Sequence, residues 1–267
     1  MDRAHGIDIS KYQTSLNLPA QTPFPVDFVI QRSSYSLRKD ERFDELSRDV
    51  QQIAIRGVYH YYSSGVSWQS QADLVLGLVD DNPHQTRYHM IWLDYEGHGT
   101  YNNLSARTAG EARQWLEYVQ ARFQGKVGLY TNPNHYIGFL DPYGDWMLSW
   151  PLWIAQYWFN PSPEKNPGMR LGQKRMNRNP DDWKFYQYSA DGNGKGPEYG
   201  VKSPSVDLDV YNGTVEDLRS WLGVPVGAVP GPVPGGFSEQ QKREWYWKGY
   251  LAAMHDMEAF IQTKKQE

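Results

Sequence analysis

From the N-terminus the chain alternates short apolar runs, four to eight residues long, with longer segments in which apolar residues recur every three or four positions. A run of the first kind can bury both faces of a strand, and a segment of the second kind lays one face of a helix on a sheet. The alternation therefore predicts strands joined by crossover helices around a parallel sheet. The predicted strands are 6–9, 28–33, 57–62, 90–95, 126–131, 152–156, 184–188 and 206–210. Eight is the number that closes an α/β barrel of TIM type. Helical periodicity is clearest over 44–55, 67–79 and 105–123, the third with Ser105 as N-cap, Glu111 near its first turn and Gly125 as C-cap. Turn formers and prolines crowd 132–150 and 160–183. The second half thus predicts short helices and long loops, and the barrel an irregular one.

A chain of 267 residues holds one large domain with an appendage, or two small ones. The barrel pattern occupies 1–223, and the uncharged stretch VPVGAVPGPVPGG at 224–236 reads as a Pro/Gly linker. Beyond it, in 237–267, Ser238 can cap an amphipathic helix with Trp247, Tyr250, Leu251, Met254, Met257 and Ile261 on one stripe. Lys242, Arg243, Lys248, Lys264 and Lys265 balance Glu239, Glu244, Asp256, Glu258 and Glu267, so this tail is neutral and not a basic membrane-surface helix. Three readings of it stand: docking on the barrel or self-association, attachment to a phage or cell-wall component, or a disordered remnant. No internal repeat is evident.

The absence of cysteine excludes disulfides, thiolate metal sites and cysteine nucleophiles. A net charge of -4 has the wrong sign for neutralising phosphates, which argues against a nucleic-acid partner. No run approaches the roughly 20 apolar residues of a membrane span, and MDRAHGIDIS lacks the basic and apolar regions of a secretory signal. Aromatic residues make up 15%, an excess that suits stacking on sugar rings or an unusually aromatic core.

The sharpest local signal is MIWLDYEG at 90–97, an apolar run ending in two carboxylates one residue apart. On a strand, Asp94 and Glu96 share a face at its C-terminal end, where parallel barrels place their active sites. Adjacent carboxylates raise each other's cost of ionisation, so one can hold a proton near neutral pH, as a glycosidase general acid must. Asp8 lies at the end of the first predicted strand and Asp207 in the last, which are neighbours in a closed barrel. Asp209 adds an acid beside them. Aromatics occupy the same strand ends: Tyr61, Tyr62, Tyr130, Trp153, Tyr157, Tyr186 and Tyr188, divided in unknown proportion between core and groove. His5, His60 and His98 show no ligand spacing, so no metal or cofactor is expected. His60 reads as a hydrogen-bonded barrel residue, and Gly57 as the start of its strand. The glycine-rich 191–196 and Asn212-Gly213 fit no phosphate-cradle pattern and read as turns.

These pieces together resemble the glycoside hydrolase family 25 lysozymes, N-acetylmuramidases of the Chalaropsis type common among phage endolysins. The matching segments run in family order: GIDISKYQ at 6–13, GVYHYY at 57–62 with Gln71-Ala72 following, LDYEG at 93–97, VGLYTN at 127–132, LWIAQY at 152–157, FYQYS at 185–189 and VDLDVYNG at 206–213. The resemblance implies a (β/α)5β3 barrel that cleaves the β-1,4 bond from N-acetylmuramic acid to N-acetylglucosamine in peptidoglycan. It implies Glu96 as general acid, Asp94 as nucleophile or orienter of the substrate N-acetyl group, and Asp8 and Asp207 as flanking acids. Tyr62, Tyr130, Trp153, Tyr157, Tyr188 and Asp209 are the expected substrate contacts. Asp209 stands where the family often carries Asn, and the insert 160–182, with Lys165, Arg170, Lys174, Arg175 and Arg178, is long and basic. The setting implied is a lysin made in the host cytoplasm and released by a holin-type lesion, or one carried on the phage particle. A chitinase-like DxxDxDxE pattern would need Asp at 89 and 92, where His89 and Trp92 stand. The alternative classes are a non-catalytic wall-sugar binder and a phage structural protein on the same barrel.

Overall fold

A computed structural model of the chain describes residues 3–17, 26–97, 104–140, 143–157, 162–167 and 181–225. All eight expected strands are present, with ends shifted by one or two residues. They are β1 (His5–Ile9), β2 (Phe28–Tyr35), β4 (Ile55–Tyr61), β5 (Met90–Asp94), β6 (Lys126–Thr131), β7 (Leu152–Ala155), β8 (Phe185–Ser189) and β9 (Asp207–Tyr211). A short β3 (Arg38–Lys39), absent from the sequence reading, folds back as a hairpin on β2. The sheet order β1-β9-β8-β7-β6-β5-β4-β2-β3, with a further β1–β2 pairing, closes eight strands into a barrel.

The barrel is not all parallel. β9 runs antiparallel to both β8 and β1. Between β8 and β9 the chain has only the 3-10 turns Gly192–Gly194 and Gly196–Tyr199, and without a crossover helix it turns back on itself.

The helices follow their local signals. α1 (Phe43–Asp49) stops earlier than its periodicity suggests, passing through a 3-10 turn at Val50–Gln52 so that Ile55 can open β4. α2 (Trp68–Asp80) and α3 (Ala106–Gln120) begin where Ser67 and Ser105 cap them, Ser67 accepting from the Ser70 N–H at 3.1 Å. At α3 the cap is reciprocal, since the Thr108 hydroxyl accepts from the Ser105 N–H at 2.7 Å. Among the described residues between β6 and β9, a single turn, α4 (Pro133–His135), and short π and 3-10 segments stand in place of longer helices. α5 (Val215–Leu222) follows β9 and ends at Gly223 in the left-handed region. Gly125 is not a C-cap, because α3 ends at Gln120 with Ala121 after it. A Cβ at Gly125 would lie 2.4 Å from the His89 carbonyl oxygen, so this glycine admits the close approach of the chains leading into β5 and β6. The linker beyond Pro225, the tail helix and most of the basic insert fall outside the described residues.

Strand alternation divides the apolar residues into two cores. Phe28, Ile30, Met90, Trp92, Trp153, Phe185 and Tyr211 fill the barrel interior, whereas Ile7, Val29, Val58, Ile91, Leu129 and Ile154 face the helices. Inside, three glycines sit in register beside the bulkiest neighbours: Gly6 beside Phe28, Gly57 beside Met90 and Gly128 beside Trp92. A Cβ at these glycines would come within 2.3, 2.6 and 2.2 Å of those side chains. Gly57 therefore makes space two residues inside β4. His60 faces the outer layer, where its ring meets the Ser34 hydroxyl at 2.8 Å and Gln71 Oε1 at 3.0 Å, and burial pushes it down to about 4.

Candidate active site

The alternation that sends Phe185 and Met90 into the barrel floor sends residues two and four further along each strand to its upper interior. There Asp8, Asp94, Asp207 and Asp209 converge, and each is shielded from water by the barrel wall. Asp8 on β1 lies in register with Asp207 on β9, and Gly6 with Asp209. Asp94, the last residue of β5, lies in register with Tyr61 on one side and Tyr130 on the other. Glu96 stands two residues beyond, partly exposed at the mouth.

Gln187 on β8 occupies the middle of this arrangement. Its Nε2 donates to Asp8 Oδ2 at 2.6 Å and to Asp207 Oδ2 at 3.3 Å, and its Oε1 accepts from the Tyr130 hydroxyl at 2.8 Å and from the Tyr157 hydroxyl. Lower down, the Trp153 indole N–H donates to Asp209 Oδ1 at 2.8 Å. Among the described residues, no donor reaches Asp94 Oδ1 or Asp209 Oδ2.

Burial is the largest cause of the electrostatics. It pushes Asp8 up to about 6, against the lowering effect of its hydrogen bonds and of the Arg32 charge. Asp94 is raised well above the usual carboxylate range by burial and then by the charges of Glu96 and Asp8. Asp207 and Asp209 are raised by burial and by Asp8. Arg32 on β2 is the opposing cation. Its Nε donates to Asp40 Oδ2 at 2.7 Å, and its guanidinium lies 5.6 Å from the Tyr12 ring centroid. One guanidinium cannot neutralise so many converging carboxylates, so the cluster retains protons near neutral pH, and it can both give and accept them.

The expected substrate contacts separate by position. Tyr157 is half exposed and borders a groove of about 280 Å³ lined also by Asn132, Asn134, His135 and Gln156. Tyr130 forms a nearly buried floor. Trp153 and Asp209 lie fully inside, beneath the acids. Trp153 packs edge-on against Tyr59, Trp92 and Tyr130, and it supports the site without a surface for substrate. Tyr62 and Tyr188 are on the wrong face. Tyr62 is buried against the helices with its hydroxyl on Glu111, and Tyr188 packs with Tyr186 in the outer core. The reason is parity: each follows an inward residue by one position. Gln187, Arg32 and the 68% exposed Tyr12 after β1 were not singled out from the sequence. Gln187 and Arg32 share their strand face with Phe185 and Ile30, the one signal that could have placed them. Among the described residues, no group of three or more His, Asp or Glu is arranged to hold a metal ion, and no helix is long and apolar enough to cross a membrane.

The fold has relatives. The catalytic domain of the endolysin ply40 from bacteriophage P40 of Listeria monocytogenes superposes with a TM-score of 0.62 at 21% identity, covering 84% of this chain and 98% of that one. A bacterial lysozyme from Streptomyces coelicolor gives a TM-score of 0.62 at 20% identity, covering 84% of this chain and all of the other. In sequence, the uncharacterized protein YegX of Escherichia coli strain CFT073 is 29% identical over 228 residues, covering 82% of this chain and 73% of that protein. The profile of glycosyl hydrolases family 25 matches residues 7–197, from within β1 through β8 and past the turn Gly192–Gly194. With most of its barrel so matched, and the acids of β1 and β5 within the matched span, the chain belongs to glycosyl hydrolases family 25.

Proposed function

We propose that this protein is a peptidoglycan hydrolase of lysozyme type, cleaving the β-1,4 bond between N-acetylmuramic acid and N-acetylglucosamine with retention of configuration. The carrying observation is the convergence of Asp8, Asp94 and Asp207 at the mouth of a family 25 barrel, with Glu96 at its rim. Glu96, partly exposed at the rim, protonates the leaving oxygen. Burial and the charges of Glu96 and Asp8 raise Asp94; with the proton on Glu96 one of those charges is gone, which favours Asp94 as the carboxylate that the next step needs. It attacks the anomeric carbon, or it orients the substrate N-acetyl group so that this group attacks, and both routes retain configuration. Asp8 and Asp207 set the proton affinity of the pair and receive substrate hydroxyls. Tyr157 offers its half-exposed ring to a sugar face at the groove. The likeness to a phage endolysin supports a phage lysin as the setting, whether released to the wall or carried on the particle.

The test is mass spectrometry of fragments released from purified peptidoglycan after borohydride reduction, with Glu96→Gln alongside. Wild type should give reduced N-acetylmuramic acid at the new ends, and the variant should lose at least a thousandfold in rate while keeping its fold. Reduced N-acetylglucosamine would place the cut at the opposite bond. No fragments from any wall tested would move the reading to a sugar-binding or structural role.

A further inference from the structure

A carboxamide has two acceptor lone pairs on oxygen and two donor hydrogens on nitrogen, and Gln187 uses all four. Its oxygen receives the hydroxyls of Tyr130 and Tyr157, and its nitrogen gives to Asp8 and Asp207. Rotating the amide by half a turn would set its oxygen against two carboxylates that have no hydrogen to give when ionised. The carboxylates therefore fix the orientation of the amide, and the phenols, which can donate or accept, complete it by donating to its oxygen. We propose that Gln187 is a positioning residue that holds Asp8 and Asp207 as hydrogen-bond acceptors and links them to Tyr157 at the rim of the groove. This rests on the hydrolase reading above.

The link runs between the two environments that a substrate must join. The Tyr157 ring is half exposed beside the groove, yet its hydroxyl reaches inward to the buried amide. A sugar resting on that ring alters how firmly the hydroxyl holds Gln187, and through it how firmly the amide donates to Asp8 and Asp207. Donation to a carboxylate favours its charged form, so at Asp8 Gln187 opposes the burial that raises the acid. Other charges face the same pair: Asp209 from β9, Asp94 and Glu96 from the end of β5, Asp191 after β8, and Arg32 from β2, the cation.

The experiment compares wild type, Gln187→Met and Tyr157→Phe in the pH profile of kcat/KM on soluble peptidoglycan chains, and in the carboxyl 13C titration of Asp8. Gln187→Met keeps the length of the side chain and removes both donors. It should move the acidic limb of the profile, and the Asp8 titration, upward by about one pH unit. Tyr157→Phe keeps the ring and removes only the hydroxyl, and should move both in the same direction by less. If Tyr157→Phe raises KM alone and leaves the Asp8 titration in place, Tyr157 is a sugar platform with no link to the acids and the proposal is overturned. Loss of activity at every pH in Gln187→Met, without displacement of either curve, would likewise reduce Gln187 to packing. Should Gln187→Met not fold, the surface variant Tyr157→Phe decides alone. A wild type that cuts no peptidoglycan would remove the hydrolase reading, while the 13C titration still decides whether the link exists.

Discussion

At the scale of single residues, Asp209 is the acid whose charge serves the fold least. It is fully buried, accepts from the Trp153 indole, and is pushed up by burial and by Asp8 and Asp207. A carboxyl raised above its unfolded value contributes stability that is complete below the ordinary value of 3.8 and is lost as pH rises through the folded value. Asp209→Asn keeps the acceptor for Trp153 and removes the charge. It should stabilise the protein at pH 7 by about 1–2 kcal/mol and leave it within about 0.5 kcal/mol of wild type at pH 4. Urea unfolding at the two pH values checks this, and equal gains at both would show that charge is not the cause. The acids themselves were legible in the sequence because a carboxylate ending an apolar run has few structural reasons to be there. Gln187 was not, since an amide is an ordinary strand residue until the neighbouring strands supply two phenols on one side and two carboxylates on the other. Tyr62 and Tyr188 were misplaced. Asp8, Asp94 and Asp207 mark the inward face of β1, β5 and β9, but β4 and β8 carry no such acid, and their inward face follows only from their register with β5 and β9.

At the scale of elements, the eight strands were legible because each is a short apolar run bounded by turn formers, and the caps at Ser67 and Ser105 were legible because capping is local chemistry. The direction of β9 was not, since an isolated strand reads the same either way and only the lack of a crossover helix before it decides. Nor was the use of glycine, whose partner lies on another strand. Gly128 is the sharpest case. A methyl there would meet the Trp92 ring, which is already wedged between Trp153 at 5.8 Å and Phe185 at 5.3 Å between ring centroids. Gly128→Ala should therefore destabilise by about 1–3 kcal/mol through overpacking. Trp92→Phe frees space on the same side, so the double variant should lose clearly less than the two single losses added, in urea unfolding at one pH. Strict additivity would mean that the backbone of β6 moves and the ring does not.

At the scale of the whole molecule, the barrel wall separates two sets of buried titratable groups whose pH dependences oppose one another. In the outer layer His60, and beside the start of β5 His89, are pushed down to about 4 from 6.5 by burial. A base lowered in this way is neutral in the fold while the unfolded chain takes up protons. Its stability is complete above 6.5 and is lost as pH falls toward 4. Inside the barrel Asp8 is raised from 3.8 to about 6, so its contribution is lost as pH rises through nearly the same window. The two slopes cancel in part between about pH 4 and 6. Asp94, Asp207 and Asp209, raised well above 3.8 by burial and by neighbouring acids, add to the decline in this window, and above 6.5, where the histidines contribute no slope, they still resist ionisation. Thermal unfolding should therefore show a broad maximum on the acid side of neutrality and a decline toward alkaline pH. Asp8→Asn removes one of the four interior acids and leaves both histidines in place. Its Tm should fall by clearly less than that of wild type between pH 4 and 6.5, and a variant that falls as steeply as wild type would show that Asp8 takes no part in the pH response of the fold.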